Sequence, residues 1–184
     1  MPFVQAVFFD RDGVLTQPKM SASGLPISPL EGEGLEILHQ LKGPIKKLHD
    51  SGVYLFVVSN QPEVARGRLS LKWLQFQNSQ LNSAFPLHGI ANCTHDSSDN
   101  CHCRKPRTGM LERLSTQFDL DPQRTVLVGD RATDIQAGNS FGSKSIFVDH
   151  NYSEQPPSAN FVRVTSTEKA CNQIIRWEAR GQYD

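Results

Sequence analysis

The 184-residue chain has no hydrophobic run of membrane-spanning length, no net charge, and no internal repeat, low-complexity tract or extended run of like charges. Phe3 to Phe9 is apolar but far short of the ~20 residues that a spanning helix needs. It also lacks a basic leader and a cleavage site, so a cytoplasmic protein is expected, with no membrane partner. Nineteen basic residues balance nineteen acidic ones, which removes any global electrostatic reason to expect nucleic acid as a partner. Cysteine is scarce, at four residues, and a chain read as intracellular is not expected to use them as disulfides. A content of 38% hydrophobic and 21% charged residues is ordinary for a globular protein. The length suits one domain over residues 1–184 with a substantial core, expected to act as a monomer.

What is present reads as alternating strands and helices. Apolar runs of strand length fall near residues 3–9, 53–59, 88–93, 125–129 and 145–149, with a short further strand at 161–164. Helical patterns fit 32–50, 70–84, 108–118, 132–141 and 168–179, and Gly43-Pro44 is expected to split the first into two pieces. The alternation predicts an α/β fold with a doubly wound, mainly parallel sheet. Ser153 to Asn160, with two prolines, reads as a surface connection.

Polar residues collect at the ends of these strands, where open α/β sheets bind ligands. Asp10-Arg11-Asp12-Gly13 follows the first strand directly. Acids at i and i+2 project to the same side of an extended chain, so one can attack a substrate while the other manages a proton. Val53 to Ser59 delivers Ser59-Asn60-Gln61, whose small polar groups and backbone amides could cradle an anion. Cys103-Arg104-Lys105-Pro106 sets two cations side by side. Thr125 to Gly129 delivers Asp130, with Asp134 one turn into the next helix and able to brace the Asp130 loop.

A carboxylate pair, a hydroxyl, a lysine and a second carboxylate pair, in that order, resemble the four motifs of the haloacid dehalogenase (HAD) superfamily of phosphohydrolases across residues 3 to about 149. The second acid matters most. Superfamily dehalogenases lack it and ion pumps replace it with threonine, so Asp12 points to phosphoryl chemistry. A dianionic phosphate ester needs cations to offset repulsion from an attacking carboxylate, which Lys105 and a Mg²⁺ ion would supply. Asp10 and Asp130, with the main-chain carbonyl of Asp12, suit the oxygen-only taste of Mg²⁺. The resemblance implies that Asp10 becomes an aspartyl-phosphate, that Asp12 protonates the leaving alcohol and then activates water, that Ser59 holds a phosphoryl oxygen and that Asp134 orients the Lys105 and Asp130 region. It also implies a Rossmann-like core. The stretches after Gly13 and Gln61 are too short for the large cap of some relatives, so an open site covered only by loops is expected.

Cys93-x-His95 followed by Cys101-x-Cys103 is the second strong pattern. Three sulfur donors and one nitrogen, with five polar residues between the pairs, form a closed tetrahedral zinc set with no open position for water. Such a structural zinc would fix the adjoining Arg104 and Lys105. Buried unliganded thiols and a surface histidine are the bland alternative. His102 is given no role, and Cys171 reads as a packing residue of the last helix.

The cluster narrows the resemblance to the histidinol-phosphatase-related branch that includes the D-glycero-D-manno-heptose 1,7-bisphosphate phosphatases. Phe9 to Val14, Ser59-Asn60-Gln61 with Ala65-Arg66-Gly67, the Cys/His set running into Cys103 to Met110, and Val128-Gly129-Asp130 with Asp134 carry it. The resemblance implies carbohydrate metabolism, a small phosphorylated metabolite as substrate, and substrate contacts from Arg104 and Arg131. The chain departs from the heptose enzymes after Val14, where they carry an acidic Gly-Tyr-containing segment and it carries Thr16 to Met20 and a long Ser/Pro-rich loop. That loop, Thr16 to Leu30, is expected to read the leaving group, with Lys19 and its serines as donors. The alternatives are a histidinol-phosphate phosphatase, a polynucleotide 3′-phosphatase, and a non-catalytic zinc-organised binding protein.

Overall fold

The computed structural model describes residues 2–22, 24–158 and 160–183. Six parallel strands form its main sheet: β1 (Ala6–Phe9), β4 (Tyr54–Asn60), β5 (Gly89–Cys93), β6 (Thr125–Gly129), β7 (Lys144–Val148) and β8 (Val162–Val164). Their spatial order is β5-β4-β1-β6-β7-β8. The chain therefore leaves β1 in one direction, builds β4 and β5, and returns to add β6 on the other side. The direction reverses at β1, so the carboxyl end of that strand opens into a crevice.

Both faces of the sheet are covered, as a parallel sheet requires. Successive side chains of β1 alternate between two apolar layers. Val7 and Phe9 face a layer that includes Ile45 and Leu48 of α1 (Lys42–Asp50), Leu81 of α2 (Leu71–Ala84), and Ala170, Cys171, Ile174 and Trp177 of α5 (Thr167–Arg180). Ala6 and Phe8 face Met110, Leu111 and Leu114 of α3 (Gly109–Phe118) and Ala137 of α4 (Ala132–Phe141). Cys171 is buried in the first layer, as its packing reading requires.

One helix expectation is corrected. Residues 32–38 form no helix; the segment is turn and extended chain, with Ile37 bridging Thr16, and a 3₁₀ turn at His39–Leu41 leads into α1. Nor do Gly43 and Pro44 split anything, because both sit in the first turn of α1, where proline's missing N–H has no helical partner to lose. The Thr16–Leu30 stretch, whose Ser23 lies outside the described residues, contains the two-residue strands β2 (Lys19–Met20) and β3 (Pro26–Ile27), paired antiparallel. Short elements of this kind leave too weak a period-2 signal to see in sequence. Of the connection at Ser153 to Asn160, Ala159 is likewise outside the described residues.

Trp177 is fully buried against the sheet, and Glu178 beside it accepts the amides of Phe3 (2.9 Å) and Val4 (2.7 Å), so α5 closes the core and holds the start of the chain. Trp177→Ala should cost about 3–5 kcal/mol. Urea denaturation reads this directly, and a loss under about 1 kcal/mol would mean that the helix is peripheral to the core.

Candidate active site

β1 ends and the chain knots at once. The Arg11 carbonyl accepts the amides of Leu15 (2.9 Å) and Thr16 (3.1 Å) and the Thr16 hydroxyl (3.2 Å), and this turn presents Asp10 and Asp12 to a cleft of about 420 Å³. Gly13 has φ +83°, and a Cβ there would stand 2.0 Å from Asp130 Oδ2. Only glycine lets the two acidic strand ends approach this closely. Gly129 is equally constrained, since its Cβ would meet Asp134 Cβ at 2.2 Å.

Lys105 lies at the centre, almost wholly buried. Its ammonium has three protons and finds three acceptors: Asp10 Oδ1 at 2.7 Å, Asp134 Oδ1 at 2.6 Å and the Val58 carbonyl at 2.7 Å. Burial opposes its charge, but Asp10 and Asp134 outweigh burial and hold its pKa above the ordinary lysine value. Asn60 fixes the backbone of Lys105 from both sides, donating to its carbonyl and accepting its amide at 3.0 Å each. Asn60, expected on a phosphate, lines the cleft but uses its amide oxygen and one N–H to hold the lysine backbone. Asp134 uses its second oxygen to accept the Arg131 amide at 3.0 Å, which braces the loop after β6.

Asp12 is held from behind by Arg11. The Arg11 Nε and Nη2 donate to the two Asp12 oxygens at 2.9 and 2.8 Å, and Ser28 of the hairpin donates to Asp12 Oδ2 at 2.8 Å. Burial alone would raise the Asp12 pKa, yet Arg11, Ser28 and Gln61 together hold it below the usual carboxylate range. Gln61 is fully buried rather than open to the cleft; it accepts from Arg11 at 2.9 Å and donates to Ser59 Oγ at 2.8 Å. Ser59 lines the cleft, and because it accepts from Gln61 its own proton is free to point at a ligand. Arg11 and Gln77 carry no role in the sequence reading, and Ser28, expected with the other loop serines as a donor to the substrate, donates instead to Asp12. A signal for Arg11 was nonetheless there: if Asp10 and Asp12 face the cleft, the residue between them faces the interior, and a buried arginine must be paired.

The acid cluster suits a divalent cation. One oxygen each from Asp10, Asp130 and Asp134 fall within 4.8 Å of one another. Asp130 Oδ2 accepts the Tyr152 hydroxyl at 2.8 Å, while Oδ1 is buried with no hydrogen-bond partner among the described residues. Burial, with repulsion from Asp134 and Asp12, outweighs Lys105 and pushes Asp10 up to about 6. Burial, then Asp10 and Asp134, raise Asp130 well above its ordinary value. Asp10, Asp12, Asp130 and Asp134 carry four negative charges against the two positive charges of Arg11 and Lys105, so the ionised cluster is short of two positive charges. An orphaned carboxylate oxygen, a deficit of two charges and an all-oxygen donor set together fit Mg²⁺.

The arginines at the rim are not idle. Arg66 forks onto Asp96 with two bonds of 2.7 Å and onto Glu63 at 2.8 Å, and Arg131 pairs with Glu154, its Nε at 2.9 Å. Arg104 lines the cleft and donates to the His95 carbonyl at 3.3 Å. From the hairpin, Pro26, Ile27 and Ser28 line the cleft, whereas Lys19 is paired with Glu33.

Cys93, His95, Cys101 and Cys103 converge beside this rim. Cys101 Sγ lies 3.6 Å from both Cys93 Sγ and Cys103 Sγ, and His95 Nδ1 lies 3.7 Å from Cys93 Sγ and 3.3 Å from Cys103 Sγ. A tetrahedron with Zn–S bonds of ~2.3 Å has edges of about 3.8 Å, so the four donors already have the spacing of a zinc site. No disulfide forms among them. His102 points elsewhere and meets Glu112 at 2.7 Å.

The HAD-hydrolase-like family model matches residues 102–162. A D-glycero-beta-D-manno-heptose-1,7-bisphosphate 7-phosphatase from Pasteurella multocida is 30% identical over 147 residues, covering 73% of this chain and 75% of its own. The D-glycero-alpha-D-manno-heptose-1,7-bisphosphate 7-phosphatase of Photorhabdus laumondii is 28% identical over 157 residues, covering 79% and 82%. Among solved structures, the D,D-heptose 1,7-bisphosphate phosphatase of B. bronchiseptica, complexed with magnesium and phosphate, superposes with a TM-score of 0.80 at 22% identity, covering 94% of this chain and 98% of that one. A likeness at that identity speaks for the fold, and the sequence relatives speak for descent. With the four strand-end motifs gathered around one cleft, they make this chain a member of the HAD-like phosphatases, in the family of the heptose-bisphosphate phosphatases.

Proposed function

We propose that the chain is a Mg²⁺-dependent phosphatase of a single HAD-like domain, releasing phosphate from a small phosphorylated sugar. A D-glycero-D-manno-heptose 1,7-bisphosphate of the kind named in its relatives is the first candidate, cleaved at the 7-position. The observation that carries this reading is the buried Asp10–Lys105–Asp134 triad gathered with Asp130, one oxygen of which has no hydrogen-bond partner among the described residues. Asp10 attacks phosphorus and becomes an aspartyl-phosphate while the ester bond to the alcohol oxygen breaks. Asp12 supplies the proton to that oxygen, then takes one from the water that cleaves the acyl phosphate. Since Asp12 is held ionised before substrate arrives, the proton must be acquired as the dianionic phosphate enters beside it. The Ser59 hydroxyl holds a phosphoryl oxygen and the Lys105 charge, kept beside Asp10, offsets the repulsion between that carboxylate and the phosphoryl group, with Gln61 and Asn60 fixing these two residues. Bound through Asp10, Asp130 and the Asp12 carbonyl, Mg²⁺ would offset charge on the phosphoryl group.

Arg104 and Arg131 meet the rest of the substrate. Cys93, His95, Cys101 and Cys103 would hold a structural zinc, which would fix Arg104 through His95 and Arg66 through Asp96. The setting is cytoplasmic, and no helix of the described residues is long and apolar enough to cross a membrane.

Asp10→Asn should leave less than about 1% of wild-type turnover while the fold survives, because a neutral amide cannot form the acyl phosphate. The assay is phosphate release from a panel containing heptose bisphosphates, histidinol phosphate and a 3′-phosphorylated oligonucleotide. Best turnover on either of the last two would displace the sugar reading.

Magnesium affinity should fall with pH below about 6, because Asp10, with its pKa pushed up to about 6, and Asp130 are then increasingly protonated and each bound cation must displace protons. Calorimetry between pH 5 and 7.5 in buffers of different ionisation enthalpy reads both the affinity and the protons released. A flat profile would contradict the assignment of Asp10 and Asp130 as ligands.

Carefully purified protein should contain about one zinc per chain after mild EDTA treatment has removed magnesium. Cys101→Ser should lower the melting temperature and impair turnover through a displaced Arg104. A zinc-free preparation, together with a Cys101 variant as stable and active as the parent, would leave the cluster without a metal role.

A further inference from the structure

Arg11 stands between the nucleophile and the acid–base carboxylate, and it is completely buried. Removing a guanidinium from water costs several kcal/mol unless every donor is matched, so its partners show where that cost is recovered. Nε and Nη2 grip the two oxygens of Asp12 at 2.9 and 2.8 Å. Nη2 also donates to Gln61 Oε1 at 2.9 Å, and Nη1 to Gln77 Oε1 at 3.0 Å. Gln77 belongs to α2, is itself fully buried, and donates onward to the Glu33 carbonyl at 3.1 Å, which also receives the Trp73 indole at 2.9 Å.

Two consequences follow from this geometry. A forked pair fixes the plane of the carboxylate as well as its place, which a single contact to a point charge does not. Gln61 Oε1 is fixed by the same guanidinium, so the opposite end of that amide must be Nε2, which then donates to Ser59 Oγ at 2.8 Å and to Asp12 Oδ2 at 3.3 Å. One buried cation therefore sets the orientation of two groups at the cleft that share no backbone connection.

We propose that Arg11 is a positioning residue of this phosphatase: through one guanidinium anchored on Gln77 of α2 it aligns the Asp12 carboxylate with the leaving oxygen and, through Gln61, the Ser59 hydroxyl with the phosphoryl group. The proposal rests on the phosphatase reading above. It distinguishes Arg11 from an ordinary core ion pair, because losing it affects leaving-group protonation and phosphate binding separately from fold stability.

The test compares wild type with Arg11→Lys, which keeps the charge and loses the fork, on an alkyl phosphate and on 4-nitrophenyl phosphate, whose leaving group needs no proton. Binding of inorganic phosphate with Mg²⁺ present is measured alongside. Arg11→Lys should lower kcat/KM, which reports the steps up to release of the alcohol and not the hydrolysis of the aspartyl-phosphate common to both esters, by about 100-fold or more on the alkyl ester, the lower end of a general acid's contribution, and by less than about tenfold on the aryl ester. Phosphate binding should weaken several-fold through the misplaced Ser59. Gln77→Leu removes only the outer anchor and should shift the same quantities in the same direction by less; it serves if the lysine variant does not fold. Equal losses on both esters, or unchanged phosphate binding in whichever variant folds, would make Arg11 merely structural and overturn the proposal. Failure of the wild-type chain to hydrolyse either ester would instead sink the phosphatase reading, and the proposal with it.

Discussion

Everything at the cleft depends on one buried ammonium. Lys105 reaches from the loop before α3 to acids that arrive on β1 and α4 and to a carbonyl of β4, so it ties together the ends of three neighbouring strands or the elements that follow them. A lysine so enclosed would lose its charge without partners. Its partners in turn would repel one another without it. The exchange leaves Asp10 close enough to a cation to act as an anion, yet crowded enough by burial and Asp134 that its pKa stands at about 6. The same crowding, extended to Asp130, is what a divalent ion would relieve. Structure and electrostatics are therefore not separable here: the contacts that close the top of the sheet are also those that hold Asp10 beside a cation and gather it with Asp130 and Asp134.

The rim follows a different rule. Arg66 and Arg131 are each gripped by an acid of another segment, Asp96 from the Cys/His loop and Glu154 from the connection after β7. These pairs are partly exposed, so they add little to stability, but they fix where two guanidinium groups stand. The cleft therefore offers no loose positive field: Lys105 and Arg104 line it, and an anion reaching Arg66 or Arg131 would have to compete with Asp96 or Glu154. The hairpin opposite offers Pro26, Ile27 and Ser28 rather than its lysine. Selectivity in such a cleft comes from fit and from displacing existing pairs more than from net charge, consistent with a chain whose basic and acidic residues balance.

Most of the sheet was legible because a buried parallel strand is written as a short apolar run, and the runs ending at Phe9, Ser59 and Gly129 all end where polar side chains begin. The stretch from Gly32 to Leu38 was misread as helix because its apolar residues fall at helical spacing, although they are instead held by the Thr16 bridge and the 3₁₀ turn before α1. The hairpin escaped because two residues per strand are too few to show a period. Among polar residues, Asn60 and Gln61 were located correctly as part of the strand end, but the partners that hold them, the Lys105 backbone on one side and Arg11 on the other, lie far away in sequence.

Sequence by itself determined the reaction class and its order of parts: carboxylates two residues apart after a strand, a lysine, a second acid pair, and four soft donors in two closely spaced pairs. These are local facts, set by chain direction and the alternation of an extended backbone, and no other part of the protein is needed to read them. Only the tertiary structure decided which of these groups are free and which are spent. Arg11 turned inward and became the support of Asp12, Arg66 and Arg131 became partners of acids, and Asp130 kept one oxygen without a partner among the described residues. The reason is that hydrogen-bond capacity is consumed pairwise in three dimensions: whether a charge is available to a ligand depends on every group that burial brings within about 3 Å of it.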